Sequence, residues 1–248
     1  MGIIKTLNRK IIKFINWSVE TNNLNINNKN ILITGSNSGI GLSLLKKLFI
    51  KNNILAIVNK NSSEVEKYIF DKKKIVKCDF GNSENILKFE NKIINFQPNI
   101  LINNAATFGE ESANIENKDL NEFQRIININ ALSQFSLIQS CIKAKKLEII
   151  VNISSQMGSI TMNKDGGYYF YRTSKSLFNS ISKNLSIDLK ESKINVFCIH
   201  PGNVKTKLNT GGLIMPDTAA QKIINICSEN HSKYSGLFIN LNKKVLDW

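Results

Sequence analysis

Residues Thr34 to Gly41 read "TGSNSGIG". The apolar run "NILI" (30–33) leads into them, and from Ile40 onward "IGLSLLKKLFIKN" repeats its apolar residues at helical spacing. A glycine-rich turn between a strand and a helix is where a dinucleotide's pyrophosphate can sit. Gly35 lets the chain leave the strand sharply. Gly39 removes a side chain where a phosphate would approach the backbone, and Gly41 lets the helix pack close to the strand. The helix amino terminus then faces the phosphates. The spacing is Gly-x-x-x-Gly-x-Gly rather than the commoner Gly-x-Gly-x-x-Gly. An ordinary βα turn is the plain alternative.

Outward from this turn, strand and helix patterns alternate. "ILAIVN" and "KIVKCD" read as the second and third strands, and "SENILKFENKIINF" as one helix. "NILINNA" is a fourth strand, followed by a long helix over about 119–145. "EIIVNISS" is a fifth strand, then a helix from about 169 to 190. "INVFCIHPG" is a sixth strand; a helix near 217–229 and a short strand at "GLFIN" follow. Such alternation predicts a three-layer, doubly wound α/β domain: a parallel sheet of about seven strands with helices on both faces. Ligands bind such sheets at the carboxyl ends of the strands, at the switch point. With 248 residues, three prolines and no Ser/Gly-rich linker, residues 29–248 read as one domain.

Residues 1–28 differ. "MGIIKTLNRKIIKFINWSVE" has no acid before Glu20, and Ile4, Leu7, Ile11, Phe14 and Ile15 recur at helical spacing among Lys5, Arg9, Lys10 and Lys13. This is a basic amphipathic extension. Three roles stay open: packing on its own domain or a partner subunit, lying on a membrane surface through residues 1–20, or serving as a cleaved leader. "MGIIKT" also fits the short pattern for myristoylation. No run of about 18 apolar residues spans a membrane. The four cysteines (Cys78, Cys141, Cys198, Cys227) are scattered, as buried thiols in a reducing, cytoplasmic compartment would be. His200 and His231 cannot form a metal cluster alone, so no metal is expected. The net charge of +14 comes from scattered lysines without an aromatic-and-basic stripe. Nucleic-acid binding is therefore not expected, although the positive field would attract an anionic cofactor.

In "YYFYRTSK" (Tyr168 to Lys175), Tyr171 and Lys175 are four residues apart and share one helix face, a plausible acid–base pair. Set in order with the glycine turn are "CDF" after the third strand, "NNAA" (Asn103 to Ala106), "NINALSQF", "VNISSQMGS" and "HPGNVKT". Together these resemble the short-chain dehydrogenase/reductase family over roughly residues 29–248. "SSQMGSITMNKDGGYYFYRTSKSLFN" and "SGLFINLNKKVLDW" resemble its C-factor and sniffer-like carbonyl reductase branch. Ala106 departs from the family's Asn-Asn-Ala-Gly.

The resemblance implies a nicotinamide cofactor held by Gly35, Ser36, Asn37, Ser38, Gly39, Ile40 and Gly41, by Asn59 and Lys60, by Asp79 and Phe80, by Asn104 and Ala105, by Tyr171 and Lys175, and by Pro201, Gly202, Val204 and Thr206. It implies a catalytic set of Asn130, Ser155, Tyr171 and Lys175, with Ser154 as the alternative serine. Tyr171 would exchange the proton, its pKa lowered by Lys175, which would also bond the ribose. Ser155 would hold the substrate oxygen. Asn130 would hold a water, or merely bond local backbone. No acid ends the second strand, so Lys60 favours NADP over NAD, although Ser38 stands where many NADP-preferring relatives carry arginine. Phe108, Met157, Tyr168 and Asn203 are candidate contacts for a small or medium carbonyl or alcohol substrate. The rival from another class is a cofactor-binding regulatory protein with little turnover. Homo-oligomerisation is open.

Overall fold

The structure is a computed structural model that describes residues 26–109, 116, 119–229 and 231–248. The amphipathic pattern of residues 1–20 lies outside the described residues. Among the described residues no helix is long and apolar enough to cross a membrane.

Seven strands form one sheet: β1 (Asn30–Thr34), β2 (Asn53–Val58), β3 (Ile75–Lys77), β4 (Ile100–Asn103), β5 (Ile149–Ile153), β6 (Asn195–His200) and β7 (Phe238–Asn240). Their order is β3-β2-β1-β4-β5-β6-β7, and every pairing is parallel. The chain steps outward from β1 to β3, then restarts at β4 on the other side of β1. That reversal is the switch point, and it opens a crevice above the carboxyl ends of β1 and β4.

Both faces of the sheet are buried. Side chains alternate along a strand, so Ile31 and Ile33 enter one core while Leu32 enters the other, and Ile100 and Ile102 separate from Leu101 in the same way. On the first face lie α1 (Gly39–Leu48) and α7 (Pro216–Ser228), which contribute Leu44, Leu45, Ile223 and Ile224. On the second lie α3 (Glu90–Phe96), α5 (Ser133–Lys143) and α6 (Tyr169–Asp188), contributing Ile93, Leu137, Ile138 and Leu185. A four-residue helix, α2 (Ser63–Glu66), follows β2.

Two helices differ from the periodicity reading. The segment expected as one helix begins as a 3₁₀ stretch, Ser83–Phe89, before α3. Asn82 caps it by accepting from the Glu84 N–H, and Asn85 reaches back to the Asp79 carbonyl at 2.9 Å, which tightens the first turns. The long helix over 119–145 is α4 (Leu120–Ile127) and α5 joined by a π-helical turn, Asn128–Leu132. All four cysteines are buried and reduced.

Candidate active site

A cleft of about 1050 Å³ runs across the carboxyl ends of the strands, at the upper end of the size range of cofactor sites. Gly35, Asn37, Ser38, Gly39 and Ile40 line it. Gly39 adopts φ +51, and a Cβ there would come within 3.1 Å of the Thr206 methyl, so this turn and the "HPGNVKT" segment nearly touch across the cleft. No side chain caps α1 at Ser38, and its first turn holds no acid. The amino-terminal N–H groups of α1 therefore suit an anionic ligand. Gly41 lies behind the lining: a Cβ there would fall 2.2 Å from the Gly35 carbonyl oxygen and 2.6 Å from Asn104 Nδ2. Ser36 is also withdrawn. It is fully buried, its hydroxyl donates to the Ile33 carbonyl (2.7 Å), and its N–H donates to Ile57.

Farther along, Asn59, Asp79, Phe80, Asn104 and Ala105 line the same cleft, with Pro201, Gly202, Asn203, Val204 and Thr206 on the opposite side. Lys60, expected on the cofactor, is exposed and outside the lining, because β2 ends at Val58 and the chain turns away. A buried threonine holds this floor together. Thr34 Oγ1 accepts from the N–H groups of both Asn104 and Ala105 at 2.9 Å, tying the end of β4 to the end of β1.

Tyr171, Ser155 and Lys175 meet where the cleft passes β5. Tyr171 lies in the first turn of α6 and Ser155 just after β5; both line the cleft, and the Ser155 hydroxyl works against the rise in the phenol's pKa. Ser154, the alternative serine, is turned inward and donates to Asn179 Oδ1 at 2.6 Å. One strand residue of offset thus separates the two hydroxyls. Of the neighbouring tyrosines, Tyr168 lines the cleft, while Tyr169 is 46% exposed and lies outside it. Lys175 is buried, its Nζ donating to the Ile153 carbonyl at 3.0 Å and lying 5.8 Å from the centre of the Tyr171 ring. Burial pulls Lys175 down to about 8. Burial also pushes the Tyr171 phenol up to about 12, partly offset by Ser155. This corrects the expectation that Lys175 lowers the phenol's pKa: the ammonium is engaged by a carbonyl, and desolvation of the ring dominates.

Phe108 and Met157 also line the cleft. Phe108 stacks on Tyr171 with ring centres 4.3 Å apart and meets Tyr168 edge-on at 5.3 Å, so one aromatic wall runs beside the phenol. Asn130 is fully buried in the π-helical turn and does not line the cleft. Its Oδ1 accepts from the Thr107 N–H (2.8 Å), and its Nδ2 donates to the Thr107 carbonyl and to Ser174 Oγ (both 2.9 Å). Both amide hydrogens are therefore committed, and a water could use only the remaining Oδ1 lone pair.

The sequence reading missed His200 and Arg125, both of which line the cleft. His200 Nδ1 accepts from the Gln156 N–H at 3.2 Å, and burial holds the ring down to about 4, so it is neutral. Its place at the end of β6, just before Pro201, was the available signal. Arg125 had none beyond its helical spacing from the π-helical turn. Among the described residues no three His, Cys, Asp or Glu side chains converge as metal ligands.

Residues 29–212 match the family model described as short chain dehydrogenase. Among curated proteins, the C-signal of Myxococcus xanthus is 27% identical over 153 residues, covering 60% of this chain and 92% of that protein. Among solved structures, the carbonyl reductase Sniffer of D. melanogaster superposes with a TM-score of 0.81 at 29% identity, covering 89% of this chain and all of that one. An NADPH-bound carbonyl reductase from chicken fatty liver gives 0.79 at 25% identity, covering 90% of this chain and all of that one. With the strand order, the glycine turn and a family match over most of its length, the chain belongs to the short-chain dehydrogenase family of NAD(P)-dependent oxidoreductases.

Proposed function

We propose that the cleft reduces a small or medium carbonyl compound, or oxidises the corresponding alcohol, with Tyr171 as the proton-exchanging residue. The observation that carries this reading is the convergence of Ser155, Tyr171 and the buried Lys175 on the cleft that begins at the glycine turn. A bound nicotinamide supplies or accepts the hydride. Tyr171, with a pKa of about 12, is fully protonated at neutral pH and able to donate to a developing alkoxide. Ser155 lines the same cleft and would hold the substrate oxygen against the phenol. Lys175, at about 8, is still mostly an ammonium at pH 7, and its donors not used by the Ile153 carbonyl would bond the nicotinamide ribose. Asn130 acts as a positioning residue, fixing Thr107 on one side and Ser174 on the other.

For the cofactor we favour NADP. No carboxylate stands at the end of β2 to meet a free ribose; the residue at the cleft edge there is the neutral Asn59. A solved relative is NADPH-bound. The ratio of catalytic efficiencies with NADPH and NADH tests this, and a preference for NADH would remove it. The reaction itself is tested with NADPH deuterated at C4 of its ring and a panel of aldehydes and ketones. Deuterium on the carbinol carbon of the product is the expected result. Consumption of cofactor without label in any product would overturn the reading.

A second reading, a cofactor-binding signalling protein with little turnover, is favoured by one finding, the similarity to C-signal. Tight NADPH binding with no product from any carbonyl would support it.

A further inference from the structure

The chain past β7 doubles back. Ile239 and Val245 form an antiparallel bridge, the Leu246 N–H donates to the Phe238 carbonyl at 2.8 Å, and Lys243 takes φ +65 in the turn between them. This brings Trp248 against the sheet edge, where its ring stacks on Phe238 with centres 5.6 Å apart. Phe238 is fully buried, and Leu246 and Met162 pack in the same small cluster.

From that anchored position the Trp248 main-chain oxygen accepts three hydrogen bonds from one segment: Ser159 Oγ at 3.1 Å, the Ile160 N–H at 3.2 Å and the Thr161 N–H at 3.4 Å. Ser159 Oγ in turn accepts from the Met162 N–H at 3.1 Å. The segment in question is the longer connection between Ser155 and Tyr171, and Met157, Met162, Asp165 and Tyr168 from it line the cleft. Its first turn is fixed from the other side, where the Gly158 carbonyl accepts from Ser176 Oγ (2.9 Å) and Asn179 Nδ2 (3.3 Å) of α6. No regular strand or helix runs through residues 159–168. Trp248 is what fixes the stretch immediately after Ser159.

We propose that Trp248 is a positioning residue for the substrate side of the cleft: its main-chain oxygen, held by the stack on Phe238, sets the place of residues 159–162 and hence of Met162 and the wall beyond it. This rests on the carbonyl-reducing reading of the cleft. Among the described residues, the hydrogen bonds and the ring stack of Trp248 reach neither the glycine turn nor the proposed catalytic residues. Its effect therefore falls on substrate fit rather than on cofactor binding.

The test combines two readouts on the full chain. Amide hydrogen exchange is measured at Ile160 and Thr161 in wild type, Trp248→Ala and Trp248→Phe. Exchange is expected to rise roughly tenfold or more in the alanine variant and to recover in the phenylalanine variant, which keeps a stacking ring. In parallel, KM for a bulky ketone and for a small aldehyde is compared in the same proteins, with NADPH affinity as the control. KM for the bulky substrate is expected to rise on the order of tenfold in Trp248→Ala, with kcat for the small aldehyde and NADPH affinity unchanged. If that variant does not fold, Ser159→Ala removes one of the three bonds without disturbing the ring and should raise exchange at Ile160 and Met162. Unchanged exchange at these amides, or equal losses for both substrates together with NADPH affinity, would overturn the proposal. A wild-type protein that turns over no carbonyl compound would instead count against the reading of the cleft, and the exchange rates would still decide whether Trp248 holds the segment.

Discussion

Tyr171 and Lys175 illustrate how burial sets chemistry at the scale of single residues. A lysine with its ammonium against one carbonyl and no carboxylate partner is costly to charge, and the direction of its shift follows from that. Its folded pKa of about 8 lies below the ordinary 10.5. Between those values the unfolded chain holds a proton that the folded chain has released, so this group makes stability rise with pH across that window. The cost of charging is fully present below about pH 8 and amounts to about 3 kcal/mol. In the ligand-free protein, Lys175→Met is therefore expected to be favoured over wild type at pH 7. That advantage should shrink as pH rises toward 10. Urea unfolding of both proteins at the two pH values checks it; an advantage independent of pH would contradict it. The tyrosine–lysine spacing was legible in the sequence, because a four-residue helical offset is a local rule; strand alternation separated Ser154 from Ser155, and the preference for Ser155 came from the family resemblance. The sign of the Tyr171 shift was not legible, because it depends on Phe108, which stacks on it from 63 residues upstream in the chain.

At the scale of elements, the strands and their order of appearance followed from apolar runs broken by turns. What periodicity could not supply was the departure from regular helix. The π-helical turn Asn128–Leu132 is distinguished by bonds to distant segments, Asn130 to Thr107 and Ser174 and Asn128 Nδ2 to the Gly81 carbonyl. Asn130→Ala would leave both the N–H and the carbonyl of Thr107 without that partner, a cost of about 1–3 kcal/mol for each buried group. Thermal unfolding of this variant is expected to shift down, and a Tm equal to wild type would show that Thr107 finds other partners. The glycine turn is a second element whose geometry is now specific. Gly41→Ala would place a methyl 2.2 Å from the Gly35 carbonyl oxygen. Since that neighbour is backbone, the expected cost is on the order of 1–3 kcal/mol, with weakened NADPH binding. Equilibrium unfolding with NADPH titration measures both effects. Wild-type values for both would mean that α1 can move outward without penalty.

For the molecule as a whole, seven parallel strands with a reversal beside β1 make one crevice, and the glycine turn, β5 and the segment after β6 all reach it. Sequence order alone pointed to that crevice. It could not show that Lys60 faces away from it, that Ser36 is sealed beneath it, or that the chain's last described residue braces its far wall. Because a cofactor would bind only the folded cleft, NADPH at about 100 times its Kd should add about 2.7 kcal/mol of stability. Of the three roles open to residues 1–20, lying on a membrane surface has its own test: in that role, anionic liposomes float the full chain, and a chain starting near Asn28 stays behind. Equal failure of both to bind would remove it. The most direct test of the whole account is NADPH oxidation with aldehydes, ketones and quinones by wild type and Tyr171→Phe, with cofactor affinity measured on both. Wild-type turnover is expected to fall about 10²–10⁴-fold in Tyr171→Phe while NADPH affinity is kept. A Tyr171→Phe protein that turns over at the wild-type rate would contradict it.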